Sequence, residues 1–459
     1  MSRHFDSIII GAGQAGPPLA DRLTRAGMAV ALIERKLFGG TCVNTGCTPT
    51  KTLVASAYAA HLARRGREYG VVLDSPIKID MALVKARADT VSASSREGVE
   101  RWLRGMPGCT VIQGHARFEG PDTIRVGEER LSAPLIYINV GGRAAVPDMP
   151  GIGEVSYLTN SSILMLDQVP EHLVVVGGSY IGLEFAQMYR RFGAEVTIIE
   201  KGPRLIARED EEVSDAIRTI LVEEGITVRT EAECISFSPR PEGVAVSLDC
   251  TSGDPEVVGS HVLLAVGRRP NTDDLGLDRA GIATDARGYI MVDEGLATSV
   301  PGIWALGDCN GRGAFTHTAY NDFEIVAANW LDGEQRRVSD RIPGYALYID
   351  PPLGRVGITI AQARATGRPV LIGERLMTRV SRAIEKGETK GFMQVVVDAE
   401  THKILGAAIL GTGGDEAIHG VLDMMNAGVS YVTLQHAVPI HPTVSELIPT
   451  MLSEMRPAA

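Results

Sequence analysis

The sequence is poor in cysteine and has no long apolar run. Six cysteines among 459 residues are too few for the disulfide scaffold of a small secreted protein. No apolar segment approaches the roughly 20 residues of a membrane-spanning helix. Acidic residues outnumber basic ones and the formal net charge is -11, whereas nucleic-acid-binding proteins normally present a basic surface. The composition therefore predicts a globular protein with neither a nucleic-acid nor a membrane partner.

The N-terminus also lacks the pattern of a secretory signal. The apolar stretch within MSRHFDSIIIGAG is only as long as a strand and runs directly into a glycine turn. We therefore expect a cytoplasmic protein. In a reducing compartment a close cysteine pair favours redox catalysis or metal binding over a structural disulfide. The length predicts two to four domains.

A long-range repeat organises the chain. Residues 8–35 read IIIGAGQAGPPLADRLTRAGMAVALIER, and residues 174–201 read VVVGGSYIGLEFAQMYRRFGAEVTIIEK. Each copy predicts a strand, a glycine turn, an amphipathic helix and a second strand ending in an acidic residue. This is the βαβ unit that binds dinucleotides, with the pyrophosphate at the helix start and the acid on the ribose. The equivalent residues are Gly11 and Gly177, Gly16 and Gly182, and Glu34 and Glu200.

The second copy departs from the pattern, because Ser179 stands in place of the middle glycine. A side chain at this position makes close approach of the backbone to a pyrophosphate harder. The alternative interpretation is a pair of βαβ units in a fold that binds no nucleotide.

Other segments indicate how the repeats are connected. The glycine-rich strand ends LIYINVGGRAAVP (135–147) and VLLAVGRRPN (262–271) are typical of crossings between domains. In TSVPGIWALGDC (298–309), Asp308 follows an apolar strand, where it could also be a simple turn or helix cap. Beyond residue 345, short β-rich runs such as MQVVVDA precede helical stretches and predict an α+β domain.

Cys42 and Cys47 lie five positions apart in FGGTCVNTGCTPTKT (38–52). In a regular helix their Cα atoms would be roughly 8–9 Å apart, whereas a disulfide needs about 4.4–6.8 Å. A bond between them requires irregular backbone, which Gly46 and Pro49 supply. A thiolate near a helix start is stabilised by free N–H groups, as a redox thiol requires. The alternatives are two inert buried cysteines or half of a zinc site.

Together these motifs resemble the pyridine nucleotide-disulfide oxidoreductases, a family that includes lipoamide dehydrogenase, glutathione reductase and mercuric reductase. GGTCVNTGCTPTK is similar to the family's redox-active disulfide motif, and TSVPGIWALGDC is similar to its second FAD motif. HTAYNDFEIVAANW resembles the stretch beneath the flavin, and PPLGRVGITIAQA and PIHPTVSE resemble the dimerisation domain. The resemblance covers essentially the whole chain. It is greatest to mercuric reductase-like proteins and reactive-chlorine-resistance flavoproteins.

The resemblance implies an α/β fold with two Rossmann-like dinucleotide-binding domains and an α+β C-terminal dimerisation domain. The expected divisions are an FAD domain from residues 1–150 and 271–343, an NAD(P)H domain from 151–270 and an interface domain from 344–459. The residues implied at FAD are Gly11, Gly13, Gly16, Glu34, Arg35, Gly40, Thr41, Lys51, Gly142, Asp308 and His317. Those implied at NAD(P)H are Gly177, Tyr180, Ile181, Gly182, Glu200 and Gly267.

The resemblance also implies catalytic roles. Cys47 would face the flavin as a thiolate and Cys42 would exchange with substrate. Lys51 and Glu184 would form an ion pair near the flavin and the nicotinamide, although an ordinary surface pair is the alternative. Tyr180 would cover the nicotinamide pocket when that cofactor is absent. His441 and Glu446 would form an acid/base dyad that acts on the other subunit of a homodimer.

Glu200 favours NADH over NADPH, because a carboxylate accepts ribose hydroxyls but repels a 2′-phosphate. Lys201 and Arg204 nearby weaken this argument, since their charges could offset it.

The electron acceptor is predicted from cysteines that this sequence lacks. Mercuric reductases proper carry a cysteine pair near the C-terminus, whereas the last cysteine here is Cys309. We expect a reductase for a small thiol-reactive electrophile, such as hypothiocyanous acid, a soft metal ion such as Hg(II), or a disulfide. No resident metal site is predicted, although Cys42 and Cys47 could bind a soft metal as substrate.

Three alternatives remain open. A dihydrolipoamide dehydrogenase is possible, but its HxHP pattern reads Pro439-Ile440-His441-Pro442 here and has lost one histidine. The others are a flavin-bearing binding or assembly protein with vestigial chemistry and an FAD oxidase that passes electrons to oxygen.

Overall fold

The computed structural model describes residues 2–249 and 253–457, so Cys250 lies outside the described residues. The strands are β1 (Ser2–His4), β2 (Ser7–Ile10), β3 (Val30–Glu34), β4 (Cys109–Gln113), β5 (Ala116–Gly120), β6 (Thr123–Val126), β7 (Glu129–Ser132), β8 (Leu135–Ile138), β9 (Gly142–Ala144), β10 (His172–Val176), β11 (Glu195–Ile199), β12 (Thr227–Arg229), β13 (Glu233–Arg240), β14 (Gly243–Asp249), β15 (Glu256–Gly259), β16 (His261–Leu264), β17 (Arg268–Pro270), β18 (Ile303–Ala305), β19 (Gly344–Leu347), β20 (Leu353–Gly357), β21 (Val370–Leu376), β22 (Phe392–Asp398), β23 (Ile404–Leu410) and β24 (Arg456–Pro457). The α-helices are α1 (Gly16–Arg25), α2 (Gly40–Thr45), α3 (Cys47–Arg64), α4 (Met81–Arg104), α5 (Tyr180–Phe192), α6 (Glu211–Glu223), α7 (Thr316–Leu331), α8 (Ile360–Ala365), α9 (Ser381–Glu385), α10 (Gly414–Asn426), α11 (Tyr431–Gln435) and α12 (Ile448–Ser453).

The first repeat forms the centre of a five-stranded parallel sheet. Its order is β18-β8-β2-β3-β4, and α1 connects β2 to β3. Every residue of β2 and β3 is buried, which is expected where a parallel sheet is covered on both faces. The carboxyl ends of β2, β3 and β8 therefore meet at one edge of the sheet.

The second repeat has the same connectivity. The parallel sheet β12-β11-β10-β16 has α5 between β10 and β11. A three-stranded antiparallel sheet, β13-β14-β15, packs beside it and shares an apolar core with β10 and β16. The two Rossmann-like units predicted from the repeat are therefore confirmed.

The glycine-rich strand ends cross between these two units. Residues 142–144 of β9 pair antiparallel with residues 268–270 of β17. The ribbon joins the segment after β8 of the first sheet to the segment after β16 of the second. It brings the two dinucleotide turns to opposite sides of one space.

The C-terminal part is α+β, as predicted. Six strands form the antiparallel sheet β19-β20-β23-β22-β21-β24. The runs MQVVVDA and ILGAAILG lie in β22 and β23, whose register pairs Phe392 with Leu410. Helices α10 and α12 pack on this sheet around a core that includes Ile418 and Met451. Among the described helices, none is long and apolar enough to cross a membrane.

Candidate active site

A single cavity of about 1560 Å³ connects both dinucleotide turns with the cysteine pair. It exceeds the roughly 300–1,000 Å³ of a typical ligand pocket. The predicted site residues on its wall are Gly11, Gly13, Glu34, Arg35, Gly40, Thr41, Cys42, Cys47, Lys51, Gly142, Gly177, Tyr180, Ile181, Glu184, Glu200, Gly267, Asp308 and His317. Gly16 and Gly182 lie beneath the turns, and His441 and Glu446 lie elsewhere on the molecule.

The first glycine of each turn is required for the same reason. Gly11 has φ +108°, and a Cβ there would lie 2.3 Å from the carbonyl oxygen of Asn139. Gly177 has φ +114°, and its Cβ would lie 2.4 Å from the carbonyl oxygen of Ala265. Each glycine therefore lets the turn pass directly over the end of the neighbouring strand.

The acidic residue of each repeat is held by two backbone N–H groups. The N–H of Ala12 donates to Glu34 at 2.9 Å, and the N–H of Lys36 donates at 2.7 Å to its second oxygen. Glu200 accepts from Gly178 at 2.6 Å and from Gly202 at 2.7 Å in the same way. A carboxylate oxygen can accept more than one hydrogen bond. Both fixed carboxylates therefore remain able to accept hydroxyls from a ligand.

Ser179 adopts a conformation that does not require glycine. Its φ is -112° and its ψ is -174°, which is extended backbone, and it caps α5. The side chain lines the cavity next to the helix start. The departure from the glycine pattern therefore introduces no backbone strain, and a hydroxyl is added where N–H groups at a helix start favour an anion.

Cys42 and Cys47 lie on either side of a break between two helices. Helix α2 ends at Thr45, Gly46 takes φ -135° and ψ -123°, and α3 begins at Cys47. A Cβ at Gly46 would lie 2.8 Å from the carbonyl oxygen of Thr41, so the break depends on glycine. The two free thiols come into hydrogen-bonding contact across this break.

The surroundings of the pair shift the pKa values of the two thiols in opposite directions. The hydrogen bond from Cys42 is the largest effect on Cys47 and, with Thr316 and Lys51, lowers the pKa of Cys47 to about 5 against the opposing effect of burial. The same contact with Cys47, together with burial, raises the pKa of Cys42. The Oγ1 of Thr316 lies 3.3 Å from the Cys47 sulfur. These contacts therefore favour the thiolate form of Cys47 over that of Cys42.

Lys51 and Glu184 connect the cysteine helix to the helix of the second repeat. The Nζ of Lys51 lies 2.7 Å from Glu184, whose carboxylate is nearly buried. Lys51 lies one turn after Cys47 on α3, and Glu184 lies one turn after Tyr180 on α5. The second oxygen of Glu184 accepts from the N–H of Tyr348 at 3.0 Å. This buried pair differs from an exposed surface pair because its carboxylate has little access to water.

Several aromatic residues at or beside the cavity were missed by sequence reasoning. The rings of Phe315 and Tyr345 stack at 5.7 Å, and the edge of Tyr180 meets Tyr345 at 5.1 Å. The ammonium of Lys51 lies 4.6 Å from the ring centre of Tyr348. Phe315 could have been found because it lies close in sequence to the motif containing Asp308. Tyr345 lies in β19 and Tyr348 directly follows it, so no local signal connected these two residues to the site.

Three predicted FAD residues have partners at the cavity wall. Asp308 is half-buried, and this desolvation raises its pKa, while Arg268 lies 3.4 Å away and opposes that effect. His317 contacts the carbonyl oxygen of Gly344 at 2.8 Å through Nε2. Arg35 forms a salt bridge with Asp274 at 2.9 Å, so its charge is already paired.

His441 and Glu446 form a pair at a distance from the cavity. The Nδ1 of His441 lies 2.7 Å from Glu446. The imidazole is 73% exposed and the carboxylate is 8% exposed. The buried carboxylate fixes one edge of the ring and leaves Nε2 free to face another molecule. Within one chain, the dyad and the cysteines are not brought together.

The residues present fit two dinucleotides. Each turn has a glycine that no side chain could replace, a helix start and a fixed carboxylate, which match the requirements of pyrophosphate and ribose. In residues 2–249 and 253–457 no group of three or more His, Cys, Asp or Glu side chains is arranged to hold a metal ion.

The chain matches known family models over most of its length. Residues 5–322 match the model described as pyridine nucleotide-disulphide oxidoreductase. Residues 343–452 match the dimerisation domain of the same family, which supports a homodimer.

Characterised relatives and a solved structure are also similar along the whole chain. The probable pyridine nucleotide-disulfide oxidoreductase RclA of Escherichia coli (strain K12) is 34% identical, over 98% of this chain and 99% of the relative. A mercuric reductase of Streptomyces lividans is 32% identical, over 97% and 94%. A dihydrolipoyl dehydrogenase of Thermus scotoductus is 33% identical, over 96% and 95%. The Cu(II) complex of the HOCl-induced flavoprotein disulfide reductase RclA from Escherichia coli superposes with a TM-score of 0.90 at 34% identity and covers 99% of both chains.

Proposed function

Because the chain belongs to the pyridine nucleotide-disulfide oxidoreductase family, we propose that it is an NADH-dependent reductase whose Cys42–Cys47 pair delivers electrons to a small thiol-reactive electrophile. It is an enzyme of the flavoprotein disulfide reductase type, and FAD and a pyridine nucleotide are its expected cofactors. The observation that supports the proposal most strongly is one cavity containing Cys47, the Lys51–Glu184 pair and both dinucleotide turns.

The proposed domains correspond to the sheets. Residues 1–150 and 271–343 hold FAD, residues 151–270 hold the nicotinamide nucleotide, and residues 344–459 form the interface between subunits. The two parallel sheets and the C-terminal antiparallel sheet support this division.

The turn of the first repeat, with Glu34 and Asp308, holds FAD in this proposal. Glu34 accepts the adenosine ribose hydroxyls, and Asp308 and His317 line the same cavity. FAD, when bound, supplies the two-electron relay between the nicotinamide and the disulfide. The turn of the second repeat and Glu200 hold the nicotinamide nucleotide, and Tyr180 covers its reactive end when that cofactor is absent.

The cysteines complete the electron path. A hydride equivalent from NADH supplies two electrons, which break the Cys42–Cys47 bond, and one proton. The proton is held by Cys42, whose pKa is raised, while Cys47 stays a thiolate beside Lys51. A disulfide acceptor is then attacked by the Cys42 thiolate and leaves as one thiol and one thiolate when Cys47 re-forms the bond with Cys42; the departing thiolate takes its proton from water.

His441 and Glu446 move the proton in this second half-reaction. His441 takes the proton from Cys42 and returns it to the departing thiol, because imidazole titrates near neutral pH. The dyad reaches the cysteines of the other subunit across the homodimer. Its exposed imidazole and buried carboxylate support this arrangement.

Glu200 supports the preference for NADH. Its carboxylate is fixed by two backbone donors and cannot turn away from a 2′-phosphate without losing both bonds. Arg204 lies 3.8 Å from Glu211, so part of the positive charge that would favour NADPH is offset.

The proposed acceptor is an oxidant, a low-molecular-weight disulfide or a soft metal ion. A solved relative at 34% identity is a Cu(II) complex of an HOCl-induced reductase, and a mercuric reductase is 32% identical. Soft thiolates favour such metals, and a metal ion here would be a substrate.

The test is anaerobic reduction of the purified holoenzyme by NADH, followed by a panel of acceptors. The wild type should develop a long-wavelength thiolate–flavin band and then turn over an oxidant, a soft metal or a small disulfide. The Cys47→Ser variant should lose the band, whereas Cys42→Ser should keep it and lose turnover by at least about 10³-fold, because members of a catalytic unit are each indispensable.

Other outcomes would replace this proposal. Appreciable turnover with dihydrolipoamide and NAD alone would make the chain a dihydrolipoamide dehydrogenase. A wild type with no thiolate–flavin band would favour a flavin-bearing binding protein. Peroxide formed in stoichiometric amounts with the NADH consumed would indicate an oxidase.

A further inference from the structure

The loop between β11 and α6 carries the arginine Arg208. Arg208 is exposed on the wall of the cavity. It makes no hydrogen bond or salt bridge with any other residue that the structure describes. Its guanidinium lies near Tyr180, where it favours the ionised phenol, although burial dominates and raises the pKa of that hydroxyl. An arginine presented to a cavity without a carboxylate partner is suited to an anionic ligand.

The loop is held in a strained form two residues before this arginine. Ile206 has φ +44°, a left-handed conformation that is costly for a β-branched residue. Its N–H donates to the carbonyl oxygen of Gly178 at 2.8 Å, and its carbonyl oxygen accepts from Glu209 at 2.9 Å. The strained residue therefore ties the loop to the glycine turn of the second repeat.

A buried ionic cluster fixes the loop immediately after the arginine. The Nε of Arg355 donates to Glu209 at 2.9 Å, and the hydroxyl of Tyr345 donates to the same carboxylate. Asp210 accepts from the backbone N–H groups of Ile360 at 3.0 Å and Ala361 at 2.9 Å. The C-terminal sheet and α8 therefore hold residues 209 and 210, and Arg208 lies between two fixed points.

We propose that Arg208 binds the pyrophosphate of the nicotinamide nucleotide. Arg208 lines the same cavity as Tyr180, the first residue of α5, and the start of this helix is where a pyrophosphate meets free N–H groups. The adenosine ribose, in contrast, is assigned to Glu200 at the end of β11. The contact is therefore common to NADH and NADPH. This inference rests on the proposed function, because it assumes that the second repeat holds a nicotinamide nucleotide.

The experiment measures binding to the oxidised holoenzyme by calorimetry, without turnover. NAD, ADP-ribose and 2′-phospho-ADP-ribose are titrated into the wild type and Arg208→Gln. Loss of one charge-assisted contact should raise the Kd of all three ligands by roughly 10- to 100-fold. Arg218→Gln is the matched control, because Arg218 is exposed on α6 outside the cavity and loses the same charge.

The other outcomes overturn the inference in distinguishable ways. A loss confined to 2′-phospho-ADP-ribose would make Arg208 a 2′-phosphate ligand. Unchanged Kd values with an altered KM for an anionic acceptor would assign the arginine to the acceptor. Equal losses of affinity in Arg208→Gln and Arg218→Gln would show that the effect comes from the net charge of the protein. If the wild type bound none of the three ligands, the proposed function itself would fail.

Discussion

The two βαβ repeats share their backbone and differ in the segments that follow them. In both, a glycine passes over a neighbouring strand and a carboxylate is fixed by two backbone N–H groups. After Glu34, a short loop leads into α2 and α3, which carry the cysteines. After Glu200, a longer strained loop carries Arg208 into the cavity and leads to α6.

This difference indicates where each activity resides. The features that the two repeats share, a glycine turn, a helix start and a fixed carboxylate, suit an adenine dinucleotide. Two groups distinguish the sites: a thiolate in the first and a guanidinium in the second. Each lies on the segment that follows the acidic residue of its repeat, Glu34 or Glu200. The groups specific to each site therefore lie on connecting segments, where functional residues are commonly carried.

Replacing the fixed carboxylates of Glu34 and Glu200 should produce the largest difference in behaviour between the two repeats. A Glu34→Gln change places an amide N–H₂ against a backbone N–H donor, so one donor loses its partner. We expect Glu34→Gln to lower the FAD-to-protein ratio after gel filtration. Glu200→Gln should keep its FAD and raise the KM for NADH by roughly 10- to 100-fold. Absorbance spectra and steady-state kinetics measure both effects.

The two variants are controls for one another, because the chemical change is the same. Glu200→Gln should also narrow the difference between NADH and NADPH, since a neutral amide does not repel a 2′-phosphate. Loss of FAD from Glu200→Gln, or a change in KM alone for Glu34→Gln, would contradict the assignment of the repeats.

Lys51 offers a smaller perturbation, because it joins the two regions instead of belonging to one cofactor. In Lys51→Gln, the nearly buried Glu184 loses its cation and Cys47 loses a positive neighbour. We expect flavin reduction by NADH to slow by roughly tenfold, the cost of about 1.4 kcal/mol in the transition state. Stopped-flow absorbance measures this rate. Lys51→Arg should retain most of the wild-type rate. Equal rates of flavin reduction in Lys51→Gln and the wild type would show that the Lys51–Glu184 pair is only a structural contact.

The features that the sequence predicted are those with local signals. The repeat has its strands, turn and helix in one continuous segment, so its periodicity could be read directly. Gly46 lies between the two cysteines, and the need to bring sulfur atoms together predicted the helix break found there. The glycine-rich ends at 135–147 and 262–271 predicted crossings between domains, whereas the antiparallel pairing of β9 with β17 was not predicted.

The features that it did not predict depend on long-range packing. Tyr345 meets Tyr180 from the C-terminal sheet, 165 positions away (180 to 345), and nothing near either residue indicates the other. The same is true of Arg355 and Glu209. The contact between His441 and Glu446 was predicted and is present, whereas their proposed action on the cysteines of the other subunit involves a surface that a single chain does not contain.

The smallest expected effect is a shift in the titration of Cys47. Its pKa is lowered to about 5, so the thiolate predominates above that pH and the thiolate–flavin band should fade as the pH falls through about 5. Thr316→Val removes one hydroxyl donor at 3.3 Å and keeps the shape of the side chain. The thiolate is then less stabilised, so its pKa should rise by up to about one unit, the equivalent of one hydrogen bond. Thr316→Ser keeps the donor and should titrate like the wild type. Thr316 lies on α7, outside the segment that carries the cysteines. If the titration midpoint of the band is unchanged in Thr316→Val, the low pKa of Cys47 is due to Cys42 and Lys51 alone. The cysteine segment would then lower the pKa of Cys47 without a contribution from α7.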